Sequence, residues 1–290
     1  MKKSILFVIN PISGGKNKND FPNLAGKYLD SNKFQSNYTL TEKVGHASEI
    51  TKQALKRGID IVVAVGGDGT INEVASALES TGILMGIIPC GSGNGLARSL
   101  GIPLSKKRAV LRLNDLRTDI IDTGLLNNRK FFNVAGMGFD AHISTCFAKN
   151  STRGWQGYVK TTLNEIYQYK PQQYRIQIDG ILYEREAFMV SIANSSQFGN
   201  NAFISPLAST KDGLLDVCII RPFPMHKIPL IGYQMLSKLT HKSRYIEIIR
   251  GKEINIFRDN AAAVHLDGEP LMMKSEINIV IKPLSLSLIV

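Results

Sequence analysis

The chain has 290 residues, 43% of them hydrophobic and 20% charged, and its basic residues exceed its acidic ones by 35 − 24 = 11. At that length a folded chain withdraws roughly 75% of its surface from water, so a core needs no disulfide or metal staple, and the composition excludes general disorder. At about 150 residues per domain, two domains are expected. The basic surplus predicts an anionic partner, whether nucleic acid, a phosphorylated ligand or an acidic membrane face.

Cys90, Cys146 and Cys218 are odd in number, widely spaced and without a CxxC pair. This excludes a disulfide framework and a zinc cluster and fits a reducing cytoplasm. The opening MKKSILFVINPISGG places two lysines before an apolar run, as secretory signals do. The run Ile5–Ile9 is too short for such a signal, and Asn10 and Pro11 follow it, so a buried strand is the better reading. No apolar stretch approaches the ~20 residues that cross a bilayer. The expectation is a soluble protein that at most rests on a membrane.

In chain order, residues up to about 117 alternate strand-like and helix-like segments. Ile5–Ile9, Ile61–Val65 and Leu84–Ile88 are continuous apolar runs, as in strands covered on both faces. Ala47–Arg57 and Ile71–Glu79 have helical spacing; Thr70 and Glu73 suggest a capping box at the start of the second, and Gly82 its stop. The alternation indicates a parallel α/β sheet. From residue 118 to 290 short alternating runs dominate: Phe131–Val134, Tyr174–Ile178, Leu182–Glu186, Phe188–Ile192, Leu215–Ile220, Tyr245–Ile249, Ile254–Phe257 and Glu276–Ile281. Asn127-Asn128 and Asp179-Gly180 sit where hairpin turns belong, and helical segments near Trp155–Tyr169 and Lys227–Thr240 interrupt the series. The fold class expected is α/β plus mostly β: a parallel-sheet nucleotide-binding domain over 1–117, an antiparallel β domain over 118–290, and a cleft between them, with the last strand returning to the first domain as one option.

The central motif is Gly66-Gly67-Asp68-Gly69-Thr70, between the strand IVVAV and a helix. Glycines let a backbone approach a ligand closely, and a helix start offers free amides to phosphate. Asp68 would repel phosphate unaided, which makes sense if Mg²⁺ stands between them. Two more glycine-rich turns follow strands, Asn10-Pro11-Ile12-Ser13-Gly14-Gly15-Lys16 and Gly91-Ser92-Gly93-Asn94. Loops at the carboxyl ends of parallel strands share one crevice, so the three turns predict a nucleotide site. Neither a Walker loop nor a dinucleotide-binding GxGxxG with its later acid is present.

The set NPxSGG, GGDGT and GSGNxLAR, in this order, resembles the diacylglycerol kinase catalytic-domain family, which includes bacterial lipid kinases and sphingosine and ceramide kinases, with NAD kinases as distant relatives. The resemblance continues through Asn133–Ala141 (NVAGMGFDA), Ser205–Val217 (SPLASTKDGLLDV) and Asp267-Gly268-Glu269, nearly the whole chain. It implies an ATP site formed by Asn10, Pro11, Ser13, Gly14, Thr41, Gly66, Gly67, Asp68, Gly69, Thr70, Asn72 and Ser92. It implies Mg²⁺ held by Asp212 with the carbonyls of Ser209 and Leu214, Asp122 joining the acidic network and Asp68 anchoring metal at the nucleotide. Asp267 and Glu269 match the acidic pair that works on the acceptor hydroxyl; by composition alone Asp212-Gly213 and Asp267-Gly268 would be ordinary turns. Many bacterial members carry aspartate where this chain has Gly95, which weakens any transfer of diacylglycerol preference and leans toward a sphingoid-like or other lipid alcohol.

The activity so implied is ATP-dependent phosphorylation of a lipid alcohol by a cytoplasmic protein, with transient contact to an anionic membrane surface and a homodimer as one assembly. The alternatives are a NAD kinase and a catalytically silent nucleotide- or lipid-binding regulator. Nucleic acid is not expected, since basic residues are dispersed rather than interleaved with aromatics. The five histidines (His46, His142, His226, His241 and His265) show no metal-ligand spacing in sequence, and GxSxG is absent. Lys227, Lys238, Lys242 and Arg244 surround the apolar Ile228, Ile231, Met235, Leu236 and Leu239, a pattern that reads as core packing or as a basic helix for anionic lipid.

Overall fold

The computed structural model describes residues 2–15, 18, 20–149 and 155–290. Lys16 of the first glycine turn lies outside them. The chain forms two compact units, Met1–Ile121 with Leu284–Val290, and Asp122–Pro283.

The first unit contains β1 (Lys3–Ile9), α1 (Phe21–Tyr28), β2 (Phe34–Leu40), α2 (His46–Lys56), β3 (Ile61–Gly66), α3 (Asp68–Leu78), β4 (Leu84–Pro89), α4 (Gly95–Ser99) and α5 (Lys106–Leu113). Its strands run parallel in the order β2-β1-β3-β4, and the carboxyl end of a last long strand adds beside β4, Leu288 opposite Met85. Ile61–Gly66 is buried throughout, which is why its sequence is continuously apolar. β2 escaped the sequence reading because four of its seven residues are exposed. Two local expectations are corrected. No capping box forms at α3: its N-cap is Gly67, Thr70 lies within the helix, and the Glu73 carboxylate reaches across to accept the Gly45 and Ala47 amides at 2.8 and 3.0 Å, capping α2 instead. α3 also ends before Gly82, at Leu78, with Ser80 in the left-handed region at φ 63°.

The chain continues with β5 (Thr118–Leu126), β6 (Arg129–Phe131), β7 (Val134–Gly138), α6 (Phe139–Lys149), α7 (Trp155–Glu165), β8 (Gln172–Ile178), β9 (Ile181–Ala187), β10 (Met189–Ala193), β11 (Leu215–Ile220), α8 (Ile228–Leu236), β12 (Ile246–Gly251), β13 (Glu253–Phe257), β14 (Ala262–Leu266), β15 (Glu269–Met273) and β16 (Glu276–Ile289). In the second unit one antiparallel sheet runs β12-β11-β10-β7-β14-β15, and a second runs from β16 through β13 and β8 to β9. Period-two alternation assigns each residue its layer. Val217 and Ile219 of β11 face the core shared with Ile176 and Ile178 of β8 and Ile254 and Ile256 of β13, whereas Cys218 and Ile220 face a second core with Phe139 of α6, Ile166 just after α7 and Ile231 of α8. Asn127-Asn128, Asp179-Gly180 and Asp267-Gly268 all join paired strands with positive φ at both positions, the geometry of two-residue hairpins.

Candidate functional site

In the first unit Ile9 pairs with Leu40 and with Val65, and Gly66 with Pro89, so four strands end at one edge of the sheet. Thr41, Asn10, Gly67 and Cys90 therefore leave that edge together. β1 sends its connection to one side and β3 to the other, and such a switch point is where open parallel sheets bind ligands. Direct bonds tie the turns: Asn10 donates its amide to the Val65 carbonyl at 3.0 Å, Thr41 to Ile9 at 2.8 Å and Cys90 to Gly66 at 2.7 Å. The Asn10 side-chain amide donates to the Thr70 hydroxyl at 3.1 Å.

Two glycine positions are dictated by this packing. Gly14 has φ 65°, and a Cβ there would stand 1.9 Å from the Cys90 carbonyl oxygen. A Cβ on Gly91 would stand 2.7 Å from the Gly67 Cα. Asp68 then joins the second and third turns: its two carboxylate oxygens accept the Asn94 and Gly95 amides, each at 2.9 Å, and so cap the start of α4. Asn94 is held in the left-handed region at φ 52°, and Arg98 donates to the Gly93 carbonyl at 3.0 Å. Of the remaining nucleotide positions, Pro11 is half-buried, Ser13 donates to the Asn10 carbonyl at 3.4 Å, Gly69 sits in the first turn of α3 and Ser92 is exposed. Asn72 accepts from Ser76 one turn along.

Lys18 is a residue the motifs did not indicate. It is buried, its Nζ donates to the Ser13 carbonyl, and burial holds its pKa below the ordinary lysine value. Burial likewise pushes the Cys90 thiol up, opposed by Lys106 and Lys18.

In the second unit the remaining motifs meet. Asp122 is fully buried on β5; its carboxylate accepts the Gly213 amide at 2.8 Å and its own amide donates to the Thr210 carbonyl at 2.7 Å, which fixes the loop carrying Ser209, Asp212 and Leu214. Asp212 is exposed and accepts the Leu214 amide at 3.2 Å. The Asp267 carboxylate accepts the amides of Phe132, Asn133 and Val134 at 2.9–3.3 Å, and Glu269 opens β15 in an exposed position. Asn194, overlooked in the sequence, links the two clusters by donating to the Asp122 carbonyl at 2.9 Å and the Phe132 carbonyl at 2.8 Å. Asp68 belongs to the first unit and this group to the second.

Beneath the Asp267-Gly268 turn the His265 Nε2 pairs with the Asp140 carboxylate at 2.6 Å, both side chains buried. Nδ1 of the neutral ring accepts the Gly268 amide at 3.3 Å. Burial alone would push the imidazole down, but the carboxylate of Asp140, and then that of Asp267, outweigh it and leave a net upward shift. A folded pKa above the unfolded value of about 6.5 gives stability that is fully present below that value and is lost as pH rises through the folded pKa. The melting temperature is therefore expected to fall as pH rises above about 6.5, and His265→Gln to flatten that limb in a pH series. An unchanged slope in the variant would refute the assignment.

A second histidine corrects the sequence reading. Four residues apart on α6, His142 and Cys146 approach Glu165 of α7 so that one ligand-type atom from each lies within 4.8 Å of the others. His142 Nε2 and Glu165 are 2.8 Å apart, which joins the two helices as an ion pair when the ring is charged.

The sequence profile of the diacylglycerol kinase catalytic domain matches residues 4–126, and that of the YegS C-terminal NAD kinase beta sandwich-like domain matches residues 133–290. The chain belongs to the diacylglycerol-kinase-like lipid kinase family. Among its relatives, a protein of Pseudomonas aeruginosa named "Probable lipid kinase YegS-like" is 32% identical over 239 residues, 80% of this chain and 77% of that protein. A diacylglycerol kinase of Staphylococcus haemolyticus is 28% identical over 277 residues, 93% of this chain and 83% of the relative. The fold is also that of a crystallised diacylglycerol kinase from Bacillus anthracis, at TM-score 0.76 and 21% identity over 99% of this chain and 96% of that one. An NAD kinase from Archaeoglobus fulgidus, solved with ATP, shares the fold at TM-score 0.55 and 14% identity over 99% and 93% of the two chains. The parallel sheet of the first unit and the separate antiparallel sheet of the second are thus the two halves of this family's architecture. Among the described residues no helix is long and apolar enough to cross a membrane.

Proposed function

We propose that this protein transfers the γ-phosphoryl group of ATP to the hydroxyl of a lipid alcohol, diacylglycerol-like or sphingoid-like. The observation that carries this reading is the junction of three glycine turns at the switch point of the parallel sheet, locked by Asp68. Phosphoryl transfer depends on alignment and on neutralising negative charge. The turns around Gly14, Gly67 and Gly91 present backbone to a triphosphate, and the α3 start adds its positive dipole end. The alcohol oxygen forms a bond to the γ-phosphorus as the bond from that phosphorus to the bridging oxygen of ADP breaks, and the hydroxyl proton passes to a carboxylate of the Asp267–Glu269 hairpin.

Mg²⁺ prefers oxygen donors and keeps several waters. The loop of Ser209, Asp212 and Leu214, tied to Asp122, offers carboxylates and carbonyls and suits such an ion as a structural fixture. At the nucleotide Asp68 would hold the metal through its oxygens' remaining lone pairs; there the ion supplies charge neutralisation. The sheet's neighbours include an NAD kinase, so the deciding experiment offers both acceptors. Purified protein with γ-labelled ATP and Mg²⁺ is expected to label a lipid alcohol from a panel of diacylglycerol and sphingoid bases and to form no NADP from NAD. Labelled NADP with unlabelled lipids would replace this reading by NAD kinase. No transfer to any acceptor would leave a nucleotide-binding regulator.

A further inference from the structure

We infer that α8 and the turns on either side of it form a docking surface for an anionic lipid bilayer. α8, Ile228–Leu236, has no charged residue, and its side chains are apolar apart from Tyr233 and Gln234. One face, with Ile228, Ile231 and Met235, packs into the helix-side core of the second unit. The other holds Leu230, Tyr233 and Leu236, spaced three apart and 43%, 60% and 58% exposed, with Met225 of the preceding turn 38% exposed. A helix apolar on both sides with one side open to water is a binding face rather than a packing error.

The rim identifies the partner. From Val217 to Ile246 the sequence contains no aspartate or glutamate, while it carries Arg221, Lys227, Lys238, Lys242 and Arg244 together with His226 and His241. Arg221 is engaged by Glu247 at 2.6 Å; of the other four cations, Lys227 is the N-cap of α8, and Lys238, Lys242 and Arg244, all exposed, follow its end. Lys238 and Arg244 rest over the rings of Phe203 and Tyr245, which hold their charge at the surface. An apolar stripe with a tyrosine at its centre and cations at its edge matches the acyl boundary and headgroups of an acidic leaflet. A second copy of the chain seated on the same face would bring two cation-rich segments together, so self-association through this face is disfavoured. The inference deepens the lipid kinase reading, whose acceptor resides in such a leaflet.

The test is cosedimentation of the full chain with vesicles of phosphatidylcholine alone or with about one-third phosphatidylglycerol. Binding is expected to the anionic vesicles only, and to weaken as salt rises from 0.1 to about 0.5 M, where screening shortens. Lys238→Glu with Lys242→Glu is expected to lower partitioning by at least about tenfold, since each near-surface cation contributes roughly a fivefold factor and two are lost together. Leu230→Glu with Leu236→Glu is expected to abolish it while the melting temperature stays within a few degrees of wild type. Wild type remaining in the supernatant, variants sedimenting like wild type, or a concentration-dependent dimer or a protein complex dissolved by the same substitutions would each overturn the inference. Turnover on a short-chain, water-soluble lipid alcohol separates the two readings. Docking variants that keep that turnover lose only the surface, whereas a wild type that binds vesicles but phosphorylates nothing loses only the kinase reading.

Discussion

Replacing Asp68 by alanine is expected to lower phosphoryl transfer by about 10²–10³-fold or more, the loss typical of removing one electrostatic group from a reacting centre. Two effects combine. The carboxylate that would carry metal disappears, and the Asn94 and Gly95 amides lose their acceptors, so the third turn is released from the second. Asp68→Asn separates the effects. Its carbonyl oxygen still accepts one of the two amides, so the turn is partly held, but it carries no charge for a cation. Turnover measured at saturating ATP should stay low in both variants, with weaker nucleotide binding only in the alanine variant. Full activity in the asparagine variant would reduce Asp68 to a loop cap.

Asp267→Ala is expected to cost both stability and turnover. Its carboxylate serves the amides of three consecutive buried residues, Phe132, Asn133 and Val134. Leaving a buried donor unpaired costs about 1–3 kcal/mol, so a loss of about 2–4 kcal/mol by denaturant titration is expected. Asp267→Asn keeps one acceptor oxygen and should recover most of that stability while turnover stays depressed, by about 10²–10⁴-fold if the proton is delivered here. Glu269→Gln completes the set. Exposed at the start of β15, it should leave stability unchanged, and a turnover loss matching that of Asp267→Asn would move proton acceptance to Glu269.

The sequence showed the first unit's sheet because strands buried on both faces are written as unbroken apolar runs, as in Ile61–Val65. The glycine turns were legible for a related reason: glycine at 14 and 91 is required by backbone contacts that no side chain tolerates. β14 and β15 were missed. Ala262–Leu266 and Glu269–Met273 lack clean alternation, and Asp267-Gly268 between them looked like any surface turn. What remained hidden at the site is long-range by nature. Glu73 fits a capping box three residues after Thr70, yet caps a different helix, because a neighbouring helix start competes for the same carboxylate. Asn194 and Lys18 carry no local signature at all. For Asn194 the importance lies in the partners that folding delivers, and spacing along the chain cannot encode a bond to a carbonyl 62 or 72 positions away; Lys18 bonds five residues back, to the Ser13 carbonyl, a contact no motif marks.

The path of β16 has a bearing on biogenesis. Its early residues pair with β13 while its final stretch, Leu284 onward, completes the sheet of the unit that begins the chain. During ribosomal synthesis, at about 5–20 residues per second, β4 therefore waits with an open edge until the whole intervening unit has emerged. Open edges recruit foreign strands. Nascent chains of this protein should depend on chaperone cover for that interval, and emergence of the segment from Leu284 onward, rather than collapse of the first unit, should be the event that ends it.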